Sequence, residues 1–132
     1  MNLTLIHPND LRQHWPKILS SLCAVRLKAQ DDWIAEDVYH AIKSGNAACH
    51  VADDNGYAGV LITTLTSAEF SGDKALHVWI AHSTGGDVFE QGLPMLRDMA
   101  KRAGVSRITF GSPRPGWAKR FPLISATYEV PI

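Results

Sequence analysis

The apolar positions at the start of the chain change from a strand-like to a helix-like spacing. Residues 2–6 alternate in polarity and are rich in β-prone types, so they predict a first strand. Apolar side chains then recur every three or four residues, which is the spacing of one helix face. They are Leu11, Trp15, Ile18, Leu19 and Leu22. We expect Trp15 to anchor this helix in the core. Pro16 should kink the helix or begin a new one, because proline lacks a backbone donor.

The next segment indicates a second helix and both of its ends. Asp31 and Asp32 are residue types that cap helix N-termini through their side-chain oxygens. An apolar stripe at helical spacing follows, formed by Ile34, Val38, Ala41 and Ile42. Gly45 and Asn46 are typical helix-ending residues, because both tolerate a left-handed backbone.

Two strands joined by a tight turn come next. Residues 47–52 and 57–66 are β-prone runs separated by the sequence Asp-Asp-Asn-Gly. An Asn-Gly pair between such runs is a strong hairpin signal, because both residues accept positive φ angles. Residues 68–73 read as a further turn, so the sheet is expected to continue beyond them.

The strand over residues 75–81 alternates regularly between two faces. Its pattern places three apolar side chains on one face, namely Leu76, Val78 and Ile80. His77 and Trp79 fall on the opposite face. A helix is then predicted to reach about Ala103, with Pro94 marking a kink or a late start. Its inward-facing residues are predicted to be Val88, Leu93, Leu96, Met99 and Ala100.

The last part of the chain adds two more strands to the pattern. Residues 105–110 and 126–130 are β-prone, and a short helical turn is expected between them over 117–121. The order of elements is β, α, α, β, β, β, α, β, short α, β. It predicts one domain over residues 1–132 with an α+β fold, an α/β sandwich around a mixed, mostly antiparallel central sheet flanked by helices. The strands at 75–81 and 105–110 are expected to be neighbouring, roughly parallel strands of that sheet.

The charges cancel over the whole chain but are segregated along it. Residues 31–90 carry ten acidic and two basic side chains, whereas residues 1–30 and 91–132 are both net basic. A nucleic-acid partner is disfavoured, because the formal net charge is zero and no known binding motif is present. The basic residues that such a partner would use are Arg97, Lys101, Arg102, Arg107, Arg114, Lys119 and Arg120.

The two cysteines and the N-terminus exclude several classes of protein. Cys23 and Cys49 stand among apolar neighbours and are expected to be buried free thiols rather than a disulfide framework. The absence of a CxxC pair or a Cys/His cluster argues against a metal site. The N-terminus lacks a basic region followed by an apolar run, and no stretch approaches the roughly 20 apolar residues of a membrane span. We therefore expect a cytoplasmic protein with no membrane partner.

The order of elements, with several local motifs, resembles the GNAT superfamily of N-acetyltransferases along nearly the whole chain. Gly59 lies early in the run Tyr-Ala-Gly-Val-Leu-Ile, where family members often have a similar glycine. A strand over residues 76–81 then leads into a glycine-containing loop and a long helix. The helix ending Met-Ala-Lys-Arg-Ala-Gly over residues 99–104, followed by a β-prone run, is similar to the family's third helix and fifth strand.

The resemblance implies an acyl-CoA site after the fourth strand, held by the family motif Arg/Gln-x-x-Gly-x-Gly/Ala. Its backbone N–H groups open a helix and hold the pyrophosphate. The matching stretch here is His-Ser-Thr-Gly-Gly-Asp, in which His82 replaces Arg or Gln and Asp87 replaces a small residue. Asp87 is expected to cap the helix, and its carboxylate would repel a pyrophosphate. The residues implied to contact acetyl-CoA, if it is used at all, are Trp79, Ile80, Ala81, Gly85, Gly86, Asp87 and Val88.

The resemblance also implies a general base and a general acid. Glu69, His77 and His82 are the candidates for the base, and histidine needs the least adjustment of its pKa for that role. Many members carry a tyrosine acid on the helix after the fifth strand, but residues 114–121 contain none. Tyr128 lies beyond that stretch, in the predicted last strand, and is expected to be a packing residue.

Two functions from different classes stay open. The first is an acyl-CoA-dependent N-acyltransferase acting on an amine. The second is a non-catalytic GNAT-like protein that binds a host or virion protein, which Asp87, the missing tyrosine and the segregated charges favour. The segment Arg-Pro-Gly-Trp over residues 114–117 is similar to one in small phage-encoded members. In that case Arg114 and Trp117 are the candidate binding residues, and the location is the host cytoplasm or the virion. Trp117 packing over the end of the sheet is the alternative, and a homodimer is also left open.

Overall fold

The computed structural model describes residues 1–28, 32–112 and 114–132 of the chain. Its helices and strands follow the order β1 (Asn2–Leu5), α1 (Leu11–Lys28), α2 (Ala35–Lys43), β2 (Ala48–Asp53), β3 (Tyr57–Ser67), β4 (Lys74–Ser83), α3 (Val88–Arg102) and β5 (Ile108–Phe110). Short 3₁₀ helices at Pro8–Asp10 and Pro115–Lys119 precede α1 and follow β5. Within these described ranges, no helix has the length and hydropathy needed to cross a bilayer.

The five strands form one mixed sheet in their order along the chain. Strands β1 to β4 pair antiparallel, and β4 pairs parallel with β5. The parallel pair requires a crossover connection, which α3 provides. The α+β prediction is therefore confirmed, and so is the prediction that the strands at 75–81 and 105–110 are parallel neighbours.

Helices cover both faces of this sheet. Helices α1 and α2 pack on one face with buried side chains that include Leu11, Ile18, Leu22, Val38 and Ile42. Helix α3 covers the other face through residues that include Phe89, Leu93, Leu96 and Ala100. Trp15 packs against the first of these clusters but is only half-buried, with its ring edge-on to Tyr39 at 4.8 Å.

The start of α2 differs from the prediction. Asp32 is not its N-cap, and Asp31 lies outside the described residues. Ile34 occupies the N-cap position, and its backbone N–H donates to the Asp37 carboxylate at 3.0 Å. The backbone N–H at the start of the helix therefore donates to an acidic side chain three residues into the helix. The predicted cap was an acidic side chain that precedes the helix. Ile34 is 50% exposed at this helix end, so it lies outside the buried stripe.

Neither proline begins a new helix. Pro16 lies inside α1 and Pro94 inside α3, and both helices continue across them. Each proline removes one backbone donor. Packing of the neighbouring turns on the sheet is strong enough to retain the helical backbone, because tertiary contacts routinely override helix propensity.

Strand β4 does not keep all its apolar residues on one face. Leu76 and Val78 pack beneath α3, but Ile80 packs with the α1–α2 cluster on the opposite face. The reason is a β-bulge: Val78 pairs with Thr63 and Ile80 with Ile62, so Trp79 is an extra residue without an opposite partner. The extra residue reverses the alternation for the remainder of the strand.

The C-terminal segment departs most from the sequence prediction. No strand forms over residues 126–130, and Tyr128 is 86% exposed rather than packed. The local pattern is strand-like, but a strand requires hydrogen-bonded partners, and none is supplied there by the described part of this chain.

The two cysteines differ in burial. Cys49 is buried, as predicted, and burial raises the pKa of its thiol to about 12. Cys23 was expected to be buried but is exposed. It follows directly after Leu22 on α1, and one residue on a helix turns the side chain about 100° away from the packed face.

Candidate active site

Strand β5 is much shorter than β4 and pairs with only part of it. Their pairing covers only Leu76 to Val78 on β4, opposite Ile108 to Phe110 on β5. Strand β4 continues to Ser83 and stays paired with β3 along that length. On its other side, the backbone from Trp79 to Ser83 has no strand partner among the described residues. We refer to this open edge of β4 as the cleft, with its narrow end at the last residues that pair with β5 and its wide end at Ser83, before α3.

Gly59 fixes the end of β4 that borders the cleft. It has a φ of 155°, and a Cβ atom placed on it would lie 2.2 Å from the backbone oxygen of His82. A side chain cannot occupy that space, so the close approach of β3 to the end of β4 requires glycine. Gly59 thereby positions His82 and Ser83, from which the chain enters α3.

The N-terminus of α3 is capped by two side chains of the chain itself. The Asp87 carboxylate accepts a hydrogen bond from the Glu90 N–H at 3.0 Å, and the Ser83 hydroxyl accepts one from the Val88 N–H at 2.8 Å. The predicted capping role of Asp87 is confirmed. Gly86, with a φ of 77°, lies beside the Met1 side chain, whereas space around Gly85 is open. The wide end of the cleft thus ends on a helix N-terminus with part of its donor set already used.

His77 lies at the narrow end of the cleft. Its Nδ1 atom is 2.9 Å from the Thr109 hydroxyl on the neighbouring strand. The ring is half-buried, and this burial lowers the pKa of His77 below the usual 6.5, so the neutral imidazole dominates at neutral pH. With Nδ1 held by Thr109, the Nε2 atom has no hydrogen-bond partner among the described residues.

His82 lies at the other end of β4 and faces α1. Its Nδ1 atom is 2.9 Å from the hydroxyl of Ser21, which is in turn 2.6 Å from the hydroxyl of Tyr57. Burial, followed by the nearby charge of Lys28, lowers the pKa of His82. Ser21 is buried, so this chain of three side chains ties the ends of β3 and β4 to the middle of α1.

The other predicted site residues are spread over the molecule. Glu69 is exposed in the turn between β3 and β4, with no hydrogen-bond or ion-pair partner among the described residues. Trp79 is half-buried at the bulge, and its ring meets the buried Trp33 at 6.4 Å. The structure therefore brings His77 and Trp79 to one end of the cleft and His82 to the other, and it leaves Glu69 apart from both.

Trp117 belongs to an aromatic cluster between α3, β5 and the segment that follows. Its ring lies 5.5 Å from Phe89 and 5.1 Å from Phe110. The Arg120 guanidinium stacks on Trp117 and forms an ion pair with Glu90 on α3. This geometry matches the packing alternative for Trp117. Arg114 is exposed at the start of the 3₁₀ helix.

Sequence reasoning missed Thr109, Ser21 and Tyr57. Each depends on which residues of different elements face one another, and that register is not encoded in local periodicity. Only Thr109 had a usable signal: once the two strands are taken as parallel neighbours, a hydroxyl in the short last strand is a candidate partner for a histidine on β4.

Solved structures of acetyltransferases resemble this fold over essentially the whole chain. Ribosomal-protein-alanine N-acetyltransferase from Brucella melitensis biovar Abortus 2308 matches with a TM-score of 0.68 and 18% identity, covering 100% of both chains. A predicted acetyltransferase from Clostridium acetobutylicum, solved with acetyl-CoA, matches with a TM-score of 0.68 and 11% identity, covering 98% of this chain and 95% of its own.

An aminoglycoside acetyltransferase from an uncultured soil metagenomic sample, solved with sisomicin, matches with a TM-score of 0.62 and 13% identity, covering 99% of this chain and 93% of its own. No family model matches the sequence, and no curated protein does either. At these identities the comparison establishes the fold, which is that of the GNAT acetyltransferases.

Proposed function

We propose that the protein is an N-acyltransferase that moves an acyl group from acyl-CoA to an amine. The observation that carries this proposal is the cleft along the unpaired edge of β4, with His77 and Thr109 at its narrow end and the N-terminus of α3 at its wide end. The fold shared with solved acetyltransferases supports the same reaction class, although fold alone does not define a function.

The length of the cleft decides which histidine can act as the base. From Ser83 back to Trp79 the strand extends about 13 Å, at roughly 3.3 Å per residue. An extended pantetheine arm is of comparable length. With the phosphates at α3, the thioester would lie near Trp79, and His77 is then the nearer histidine. His82 lies beside the phosphates, where it holds the end of β4 against α1 through Ser21.

Acyl-CoA would supply the activated thioester carbonyl. The unpaired backbone edge of β4 near Trp79 lies where N–H groups could donate to the carbonyl oxygen, as an oxyanion-stabilising group must. At the phosphate end, the fit is weaker, because Ser83 and Asp87 already occupy two amides of the first turn. The residues therefore fit the thioester better than they fit the pyrophosphate.

His77 takes the proton that the attacking amine must lose. In the tautomer that carries the proton on Nδ1, this N–H donates to the Thr109 hydroxyl and the Nε2 lone pair is available. As the amine nitrogen bonds to the carbonyl carbon, its proton moves to Nε2. The carbon–sulfur bond then breaks and the electron pair leaves with the thiolate. His77 releases its proton to solvent, and solvent protonates the thiolate, since no tyrosine lies in residues 114–121.

A non-catalytic binding function is the second candidate, and the capping at α3 favours it. Two of the first-turn amides are occupied, and Asp87 adds a negative charge where a pyrophosphate would lie. A helix terminus whose amides are partly satisfied by its own side chains has less need of a ligand. In that case the shared fold would serve as a scaffold for contact with a protein partner.

Acetyl-CoA binding separates the two candidates. At about 100 times its dissociation constant, a ligand of the native state adds roughly 2.7 kcal/mol of stability. For a domain of this size, we expect a rise in Tm on the order of 10 °C. A shift of this kind, with thiol release when primary amines are added, supports the enzyme. If millimolar acetyl-CoA produces no shift in Tm and no thiol is released, the result contradicts the enzyme and leaves the binding function.

Variants of His77 then test the base. His77→Gln should abolish amine-dependent thiol release while retaining the acetyl-CoA shift, and Thr109→Val should reduce turnover less severely. The exposed His40→Gln is the matched control. With a weakly basic aromatic amine as acceptor, kcat/KM should rise as pH passes upward through the lowered pKa of His77 and then level off. Loss of turnover in His82→Gln but not in His77→Gln would contradict this assignment.

A further inference from the structure

Two basic side chains lie beyond the narrow end of the cleft, where β4 and β5 begin. The connections that lead into these two strands border a cavity of about 440 Å³. Lys74 and Arg107 line the cavity, together with the polar side chains of Asp73 and Ser106. Both bases are exposed, and neither forms an ion pair in the part of the chain that the structure describes. The cavity therefore presents two unpaired positive charges and one negative charge.

Arg107 lies on the same face of the sheet as His77. Ile108 and Phe110 pack beneath α3, so Thr109 between them faces the opposite side, where its hydroxyl meets His77. The parallel ladder continues one residue before β5, because a backbone N–H of β4 donates to the Arg107 oxygen at 3.0 Å. Side chains two residues apart on a strand share a face, so Arg107 shares the face of Thr109 and His77.

The cavity lies close enough to His77 for one small molecule to reach both. Arg107 precedes Thr109 by two residues and Lys74 precedes His77 by three, which is roughly 7 and 10 Å at about 3.3 Å per residue. In the proposed function, acyl-CoA reaches His77 from the other direction, along the open edge of β4 from α3. An acceptor with its nitrogen at Nε2 of His77 therefore has room for its remainder on the cavity side.

The charges of the cavity suit a carboxylate. An arginine guanidinium is a planar fork that binds a carboxylate through two parallel hydrogen bonds, and a lysine ammonium adds a point charge. With Asp73 included, the side chains leave one positive charge in excess. One carboxylate balances that charge, whereas a phosphate monoester, which carries about −1.5 to −2 at neutral pH, does not.

We propose that the acceptor amine carries a carboxylate at its far end, and that Arg107 binds this carboxylate with the support of Lys74. The proposal rests on the acyl transfer proposed above and names the class of substrate for that reaction. The carboxylate takes no part in the bond changes, so Arg107 determines specificity. Its contact with the far end is equal in the ground state and the transition state. Loss of this contact should therefore raise KM and leave kcat nearly unchanged.

A matched pair of acceptors tests the proposal, with acetyl-CoA as donor and thiol release as the measurement. The first is a six-carbon ω-amino acid, and the second is its primary amide, which has the same length but no charge at the far end. We expect kcat/KM to be about tenfold to a hundredfold higher for the acid, as for other charge-assisted hydrogen bonds. Equal kcat/KM values would overturn the proposal and leave the acyltransferase in place. Thiol release with no primary amine at all would contradict the acyltransferase, and this proposal with it.

Variants of Arg107 assign the preference to one side chain. In Arg107→Gln the ratio of the two kcat/KM values should fall toward one through a higher KM for the acid, and Arg107→Lys should retain part of the preference. A general loss of folded protein does not change this ratio, because it slows both acceptors alike. Arg97→Gln, at an exposed position on α3, is the matched control and should keep the wild-type ratio. A preference that persists in Arg107→Gln, or a faster reaction of the matching ω-aminoalkyl phosphate, would overturn the assignment.

Discussion

At the scale of single residues, Gly59 is the position on which the cleft most depends. We expect Gly59→Ala to cost more than about 3 kcal/mol, because it combines an unfavourable φ of 155° with a 2.2 Å contact to the His82 backbone oxygen. Relief of that contact would move the end of β4 away from β3. Urea denaturation of the variant measures the loss of unfolding free energy.

Gly72→Ala is the matched control for this prediction. Gly72 also has a positive φ, of 72°, but no atom lies within 4 Å of the position of an added Cβ. It should therefore lose only the cost of a left-handed backbone, roughly 1–2 kcal/mol. Equal losses in the two variants would show that the close approach at His82 contributes nothing to stability.

The contrast between Gly59 and Thr109 shows how far single residues could be assigned from the sequence. Gly59 was singled out from the sequence through the family resemblance, whereas its positive φ and its close contact with His82 are seen only in the structure. Thr109 gains its role only because β5 pairs in the register that places it beside His77. The sequence predicts that the two strands meet, but nothing local within either strand specifies their register.

At the scale of elements, the Asp87 carboxylate has two opposite effects at the N-terminus of α3. It stabilises the helix as a cap, and it weakens the binding of an anion there. Asparagine caps helices about as well as aspartate but carries no charge. We expect Asp87→Asn to lower the ligand-free stability by less than about 1 kcal/mol, through loss of the charge–dipole attraction. It should also increase any rise in Tm caused by acetyl-CoA, because the carboxylate no longer opposes the pyrophosphate.

Asp87→Ala separates the cap from the charge. It removes both, so it should cost about 1 kcal/mol in the ligand-free protein. Its acetyl-CoA shift should nevertheless exceed that of the wild type. Thermal unfolding with and without acetyl-CoA measures both quantities. A smaller shift in Asp87→Asn than in the wild type would mean that the carboxylate assists binding.

Two elements mark the limit of what periodicity predicts. The alternation of apolar and polar residues in β4 gives no sign of the bulge at Trp79. Ile80 was therefore assigned to the wrong face of the strand. The segment over residues 126–130 alternates just as clearly, yet it forms no strand. Periodicity reports how a strand would present its side chains, whereas bulges and partners are decided by neighbouring strands that may lie far along the chain.

At the scale of the whole molecule, three histidines make stability depend on pH in the same direction. Burial lowers the pKa of His50, His77 and His82, with Lys28 adding to the effect at His82. His50 is the most buried of the three, and its Nδ1 atom has no hydrogen-bond partner in the part of the chain that the structure describes. Their neutral forms fit the fold, and their protonated forms do not.

The folded protein should therefore lose stability as the solution becomes acidic. Below about pH 6.5 the unfolded chain binds protons at these histidines while the folded chain does not, so unfolding becomes more favourable until the lowered folded pKa values are passed. Above pH 6.5 both states are neutral at these sites and the contribution is constant. Each histidine adds at most about 1.4 kcal/mol per pH unit to the slope.

Urea denaturation from about pH 7.5 to about pH 5.5 should show a smaller slope in His50→Leu, because the most buried of the three no longer titrates. His40→Gln, at an exposed position, should retain the wild-type slope. If His50→Leu also retained it, protonation of His50 would not be what destabilises the folded chain in acid.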